Sequence, residues 1–401
     1  MDGITLYPPR SLVDNHNMSY TELPRPDTDA LAHSNAAAAH IRAAIAAAGG
    51  WLPFSRYMEL ALYAPGFGYY SAGARKLGAA GDFITAPELS PLFGRVLARQ
   101  VSELFQTLPH EILEVGAGSG ALAASLLEEL ERLGKLPERY LILELSADLR
   151  QRERDTLAAR VPHLVERVAW LNRLPPSFSG VVLGNEVLDA MPVEVFRTTA
   201  NGIEQAGVAV EDGTFEWSFR PATAALESLV APLKLAPGYQ SEIALAAPAF
   251  IASLAALMEK AAAIFIDYGF PRHEYYHPQR SNGTLMCHYR HRAHDAPFFL
   301  PGLQDITAHV DFSATAAAAA NNGLEVLGYA TQAQFLINCG ITDVLSEIDP
   351  SDVVPYLAQA NAAQKLLSPA EMGELFKVIA VGRGVDAPLR GFSSGDKTHT
   401  L

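Results

Sequence analysis

The run HEILEVGAGSGALAASLLEEL, residues 110–130, decides the fold. A short apolar strand at 112–115 enters a turn carrying Gly116, Gly118 and Gly120, and the chain then runs straight into an amphipathic helical pattern. Glycines between a buried strand and a helix let backbone N–H groups approach a ligand with no Cβ in the way. In an open α/β sheet the crevice at the carboxyl end of such a strand is where cofactors sit.

Outward from that run a βα alternation continues. The pattern predicts strand 111–115, helix 121–133, strand 140–145, helix 147–160, a strand near 166–170 and another at 180–183. Short apolar strands separated by amphipathic helices imply a mostly parallel sheet covered on both faces. Beyond GNEVLDAMPV the period changes: 193–219 alternates, with turn signals at Asn201-Gly202 and Asp212-Gly213, and reads as inserted antiparallel hairpins. A helix at 248–260 and a strand at 263–266 resume the sheet. An irregular stretch, 268–309, overlaps the start of a helix expected at 306–321, and strands at 324–329 and 376–381 then bring the count to seven. The expected organisation is a flexible tail at 1–30 and a helical, aromatic lid segment at 31–108. A domain at 109–385 follows, with insertions near 193–247 and 270–304, and then a flexible tail at 386–401.

With 401 residues and 49% apolar content the chain can bury a large core. A net charge of −14 with no long Lys/Arg run argues against nucleic acid, which demands a basic face. Cys287 and Cys339 are too few for a disulfide framework. No stretch reaches the roughly 18 apolar residues of a membrane span, and the first residues lack a signal-peptide pattern, so a cytoplasmic location is expected. Nothing in the sequence speaks to oligomeric state.

The glycine turn alone admits two cofactors. Gly116-Ala117-Gly118-Ser119-Gly120-Ala121 fits the dinucleotide fingerprint G-x-G-x-x-A, and Glu144 follows at the spacing of a ribose-binding acid. The same residues fit the E-x-G-x-G-x-G turn of class I S-adenosylmethionine methyltransferases, with Glu114 two residues ahead. A cofactor with a free α-amino group has a use for that carboxylate. The fourth strand favours the second reading: GVVLGNEVLDAMPV sets Asn185, Glu186 and Asp189 just past its carboxyl end, where a methyl acceptor would meet the reactive methyl. An NAD-dependent dehydrogenase stays as the weaker alternative, for no hydride-relay pair stands out.

Several further motifs carry a resemblance to a known family. PGFGYY, GDFITAPELSPLFG, LEVGAGSGALA, LGNEVLDAMPVEVF, FIDYGF, GTLMCHYRHRAHDAPF and GLQDITAHVDFS together resemble the MidA family of class I methyltransferases, over most of residues 50–385. The resemblance implies a Rossmann-like fold, S-adenosyl-L-methionine as cofactor, and methyl transfer. The family includes a mitochondrial relative that methylates an arginine of a respiratory complex I subunit, which implies a protein or peptide partner. The candidate cofactor residues are Glu114, Gly116, Ala117, Gly118, Gly120, Glu144, Leu145 and Asn185, with Gly81, Asp82 and Thr85 from the preceding loop.

A guanidinium acceptor calls for carboxylates in bidentate geometry. Glu186 and Asp189, with Asn185, are the candidate catalytic residues; Asp267, Tyr268, Glu88 and His291 are the candidate acceptor contacts. Asn185 and Asp189 have an alternative use as caps of the following turn. His288, His291 and His294 stand three apart near Cys287, but no carboxylate or second cysteine stands at ligand spacing, so no metal is expected; His291 or His309 shaping the pocket is the preferred reading. A small-molecule methyltransferase and a non-catalytic assembly chaperone remain alternatives to a protein methyltransferase.

Overall fold

A computed structural model describes residues 23–71 and 85–401. Its largest sheet has, numbered in chain order within that sheet, β1 (Glu111–Val115), β2 (Arg139–Leu143), β3 (Val168–Leu171), β4 (Phe178–Asn185), β5 (Met258–Phe270), β6 (Glu325–Thr331) and β7 (Phe376–Arg383). The order across the sheet is β6-β7-β5-β4-β1-β2-β3, and β7 is antiparallel to both its neighbours while the other pairs are parallel. The short strand Val310–Asp311 adds to the carboxyl end of β5.

Period-two alternation buries both faces of this sheet. Ile112, Tyr140, Ile142, Val181, Leu183, Ile264 and Ile266 pack on one side, and Leu113, Leu141, Val182, Ala263, Phe265 and Ile379 on the other. The chain winds from β1 outward to β3, then returns past β1 to β4. The order therefore reverses at β1/β4, and a crevice opens at their carboxyl ends.

The insertions form a second layer. Val193–Thr199, Gly202–Glu211, Thr214–Pro221 and Gln240–Ala244 join Leu52–Pro53 in a five-stranded sheet. Both expected turns close two-residue hairpins there, and Asp212 (φ 48°) with Gly213 (φ 82°) shows why an Asp-Gly pair suits the second. A three-stranded sheet, Met286–Tyr289, Arg292–His294 and Asp305–Thr307, shares one core with the helix Phe54–Tyr63 through Cys287 and Ile306.

The structure departs from sequence expectation at three segments. The helix expected at 306–321 begins only at Phe312, where Asp311 caps it by accepting from the Ala314 N–H at 3.0 Å; Asp305–Thr307 is a strand. The expected flexible C-terminal tail is packed. Phe392 lies against Phe335 (centroids 5.4 Å apart), Gly391 N–H donates to Gln100 Oε1 (2.8 Å), and Lys397 N–H donates to the Tyr329 carbonyl (2.6 Å). Apolar anchors spaced through a Gly/Ser-rich segment hold it without any helical period to signal them. At the other end, residues from Thr28 onward are helical, capped by Asp27, so the expected N-terminal tail runs too far; residues 1–22 lie outside the described part.

Helices Pro91–Leu104 and Ala121–Arg132 meet at Gly94, where a Cβ would stand 2.5 Å from Ser125 Cβ. Gly94→Ala must push these helices apart, at a cost of about 1–3 kcal/mol. Thermal and urea melts should show the loss; a variant as stable as the parent would show that the two helices have room to spare.

Candidate active site

The glycine turn leaves β1 with Gly116, Gly118 and Gly120 at φ 65°, 61° and 79°, a left-handed region that side chains with a Cβ resist. Gly116 N–H donates to the Leu143 carbonyl at 3.1 Å, and Gly120 caps the helix Ala121–Arg132 with no side chain in the way. Ala117 is buried in the core beneath. The turn thus presents a bare backbone and a helix N-terminus to the crevice.

Two predicted acids flank it. Glu114 is buried and accepts from Tyr140 OH at 2.7 Å; burial pushes its carboxyl up to about 7, with the Tyr140 hydrogen bond opposing. Glu144, at the end of β2, accepts from Ser146 N–H at 2.7 Å. Arg150 ties the ends of β2 and β3 together, donating to the carbonyls of Glu144 (2.6 Å) and Leu171 (2.7 Å). Leu145 projects 75% exposed beside Glu144, an apolar side chain at the crevice mouth.

A third acid, Glu153, escaped the sequence reading. It is fully buried, accepts from Trp170 Nε1 at 2.6 Å, and its backbone runs 3.0 Å from where a Gly120 Cβ would stand. Burial, then the nearby Glu144, push it up to about 8. The signal was present: Leu149, Glu153 and Leu157 share the buried stripe of one helix, an acid where a leucine is expected.

The second half of the crevice is acidic. Glu186 follows β4 with φ 53°, a left-handed backbone that a non-glycine residue adopts only when its surroundings impose it. Its N–H donates to the Ile266 carbonyl (2.8 Å). Its carboxyl accepts the Ala86 N–H and receives Asn185 Nδ2 at 3.0 Å. The next three N–H groups, of Val187, Leu188 and Asp189, converge on Asp267 Oδ2 at 3.2, 2.9 and 3.3 Å; Asp267 Oδ1 accepts from Tyr268 N–H at 2.9 Å. Burial pushes Glu186 up to about 8, helped by Asp189, and Asp189 up to about 6, opposed by its Tyr268 hydrogen bond. Burial beside Asp189 and Glu186 holds Asp267 well above the usual carboxylate range. Among the described residues, the buried atoms Asn185 Oδ1 and Asp189 Oδ1 find no hydrogen-bond partner.

Most candidate residues therefore meet at the carboxyl ends of β1, β2, β4 and β5. Thr85 precedes the Ala86 contact, and Glu88 stands close enough to raise Glu186. His291 does not join them: it sits exposed at the tip of a hairpin, φ 62°. The histidine that lines the cavity is His288, pushed down to about 4 by burial, along with Tyr70, Asp305 and Thr307. Alternation explains the exchange, since residues three apart in a strand and turn face differently. His309 sits behind Tyr268, edge-on at 5.1 Å and stacked on Phe270 at 5.3 Å. Gly81 and Asp82 lie outside the described residues. Among the described residues no three His, Cys, Asp or Glu side chains are grouped to hold a metal.

With this geometry in place, comparison with known proteins identifies the cofactor. A family model of S-adenosyl-L-methionine-dependent methyltransferases matches residues 96–330, more than half of the chain. The chain belongs to this family. The MidA resemblance stands and the dehydrogenase alternative falls. The methyltransferase is 55% identical to a Burkholderia thailandensis protein whose crystal structure holds S-adenosyl-homocysteine; the match covers 95% of this chain and 100% of that one, with a TM-score of 0.93. A zebrafish protein, protein arginine methyltransferase NDUFAF7, mitochondrial, is 29% identical over 85% of this chain and 86% of its own length. The Drosophila melanogaster homologue is 28% identical over 93% and 92%. These relatives are mitochondrial, which overturns the expected cytoplasmic location. No helix among the described residues is long and apolar enough to cross a membrane.

The site fits such a cofactor: a glycine cradle open to the crevice, two carboxylates beside it, and an exposed leucine at its mouth. Glu153 makes this half sensitive to pH. Folded, its carboxyl stays protonated up to about 8; unfolded, it ionises near 4.5. Its contribution to stability is complete below that lower value and is lost as pH rises through the upper one. Glu153→Gln removes the titration, so the variant should match the parent at pH 4 and exceed it at pH 8.5 by on the order of 4 kcal/mol. Parallel melting curves at both pH values would contradict this.

Proposed function

We propose that the methyltransferase acts on a protein arginine, with Glu186 and Asp189 handling the acceptor. The observation that carries this reading is the lining of the cavity at the carboxyl ends of β4 and β5: Glu186, Asp189, Tyr268 and Asp305 face it, and no Lys or Arg among the described residues does. The cavity as it stands is about 20 Å³, room for a single water, so it is the character of its lining rather than its volume that suits a cation. The names of the zebrafish and fly relatives support a guanidinium as that cation.

When bound, S-adenosylmethionine supplies a methyl group carried on a sulfonium. The chain's own residues have three tasks. The bare backbone at 116–120, with Glu114 and Glu144, binds the cofactor's polar ends. Asn185, Glu186 and Asp189 hold the acceptor nitrogen in line, which is the larger part of what a displacement needs. Glu186 also receives a proton. As the C–N bond forms and the C–S electron pair returns to sulfur, the acceptor nitrogen must shed one. An uncharged Glu186 could not receive it. A guanidinium arriving beside a carboxyl that otherwise ionises near 8 stabilises the charged form and expels its proton beforehand. Asp267 keeps the turn in shape from below, and Tyr268 donates to Asp189.

Radiolabelled methyl transfer into a cell lysate, separated by size and followed by hydrolysis, tests the reading. Label should appear in protein as methylarginine; label confined to small molecules would mean a metabolite acceptor. Glu186→Gln should keep cofactor binding and lose transfer by about 100-fold or more. For the parent protein, kcat/KM should climb between pH 6 and about 8 as Glu186 gives up its proton, and full transfer by the variant would remove Glu186 from the mechanism.

A further inference from the structure

The cavity has two walls of different origin. Glu186, Asp189 and Tyr268 come from the ends of β4 and β5 in the large sheet, whereas His288, Asp305 and Thr307 come from the inserted three-stranded sheet and Tyr70 from the N-terminal segment packed on it. Asp305 opens the strand Asp305–Thr307 and is only 2% exposed. Its two oxygens are fixed separately: Oδ1 accepts from Ile306 N–H at 2.9 Å and Oδ2 from Tyr70 OH at 2.9 Å. Tyr70 is itself held, stacked on Tyr63 at 5.4 Å and edge-on to Tyr69 at 5.0 Å. Tyr63 OH in turn donates to the Ala190 carbonyl, one residue past Asp189.

We infer that Asp305, oriented by Tyr70, is a second acceptor-binding carboxylate that selects a guanidinium over an ammonium. A guanidinium is planar and presents N–H donors along several edges, whereas an ammonium is a compact point charge. A single acidic wall serves either. Acids on two walls, each with a fixed direction, serve only the cation that reaches both at once. Glu186 and Asp189 take the edge carrying the nitrogen to be methylated, and Asp305 takes another edge, which stops the group from rotating that nitrogen away. His288, kept neutral by burial, adds no competing positive charge to the inserted wall. The inference rests on the guanidinium acceptor of the reading above, not on that guanidinium belonging to a protein, and adds the residues that enforce the choice.

Direct binding provides the test, with 15N-labelled guanidinium chloride and methylammonium chloride titrated at millimolar concentration into protein saturated with S-adenosyl-homocysteine. Binding is read from line broadening. The parent protein should bind guanidinium at least tenfold more tightly than methylammonium. Asp305→Asn should bring the two within about twofold, while the melting shift caused by S-adenosyl-homocysteine stays as in the parent. Tyr70→Phe, which keeps the stacking and deletes the hydroxyl, should lose part of the preference. In lysate labelling, Asp305→Asn should raise the half-saturating acceptor concentration at least tenfold with the maximal rate within threefold. Undiminished preference in Asp305→Asn, or no preference in the parent, overturns the proposal. If Asp305→Asn proves unstable, Tyr70→Phe decides, and parental preference in that variant overturns it. Preference intact with no methylarginine in lysate protein would instead sink the protein-arginine reading and leave this one standing.

Discussion

One oxygen atom holds the chemistry together. Asp267 Oδ2 gathers the N–H groups of Val187, Leu188 and Asp189 from a neighbouring strand's exit turn, at 2.9 to 3.3 Å. Such convergence on a buried carboxylate forces the backbone to curl immediately after β4, and the left-handed Glu186 is the residue that absorbs the curl. Without it the chain would leave the sheet in an extended direction and carry Glu186 and Asp189 away from the crevice. The cost is a buried acid beside two others, and it appears as raised proton affinities through the group. Strain and crowded charge thus come from the same device that aims the site.

The two halves of the crevice use acids differently. Around the glycine turn, Glu114, Glu144 and Glu153 meet Tyr140, Ser146 and Trp170, each carboxylate fastened by a neutral donor. Such partners orient the carboxyls without supplying a positive charge, so burial keeps Glu114 and Glu153 inclined to hold their protons. At the β4/β5 end the donors to Asp267 and the Ala86 donor to Glu186 are backbone groups, again neutral. Carboxyl groups thus stand at both ends of the crevice, held largely protonated by burial until a positively charged cofactor or acceptor arrives to favour their charged form.

How much of this could be read from the chain depends on distance along it. The turn at 116–120, Glu114, Glu144 and the residues 185–189 sit at strand ends, and strand ends on a parallel sheet have a known destination. The seven-strand count and both hairpin turns follow from periodicity for the same reason. Asp305 and Tyr70 have no such anchor: 235 residues separate them, and only the packing of the N-terminal segment against the inserted layer brings the hydroxyl to the carboxylate. The helix expected at 306–321 hid Asp305 further, because the alanine-rich stretch behind Asp311 extends a helical pattern backwards over a short strand. His288 and His291 look alike in the sequence because the turn at 290–291 between them, which sets which side chain looks inward, carries no glycine to mark it. The packed C-terminus was missed because single aromatic anchors, such as Phe392, leave no periodic trace.

The inserted layer is not hung on the sheet as an appendage. Gly269 at the end of β5 accepts Val310 so closely that a Cβ would stand 2.2 Å from the Val310 carbonyl oxygen, and Ala308 N–H donates to the carbonyl of Asp189 at 3.0 Å. The two walls of the cavity are stitched to each other within a few residues of the acids they carry. Descent by module exchange is closed to such an architecture. A lineage that altered the inserted wall to take a new acceptor would shift Asp189 with it, so acceptor choice and transfer chemistry must be inherited as one unit.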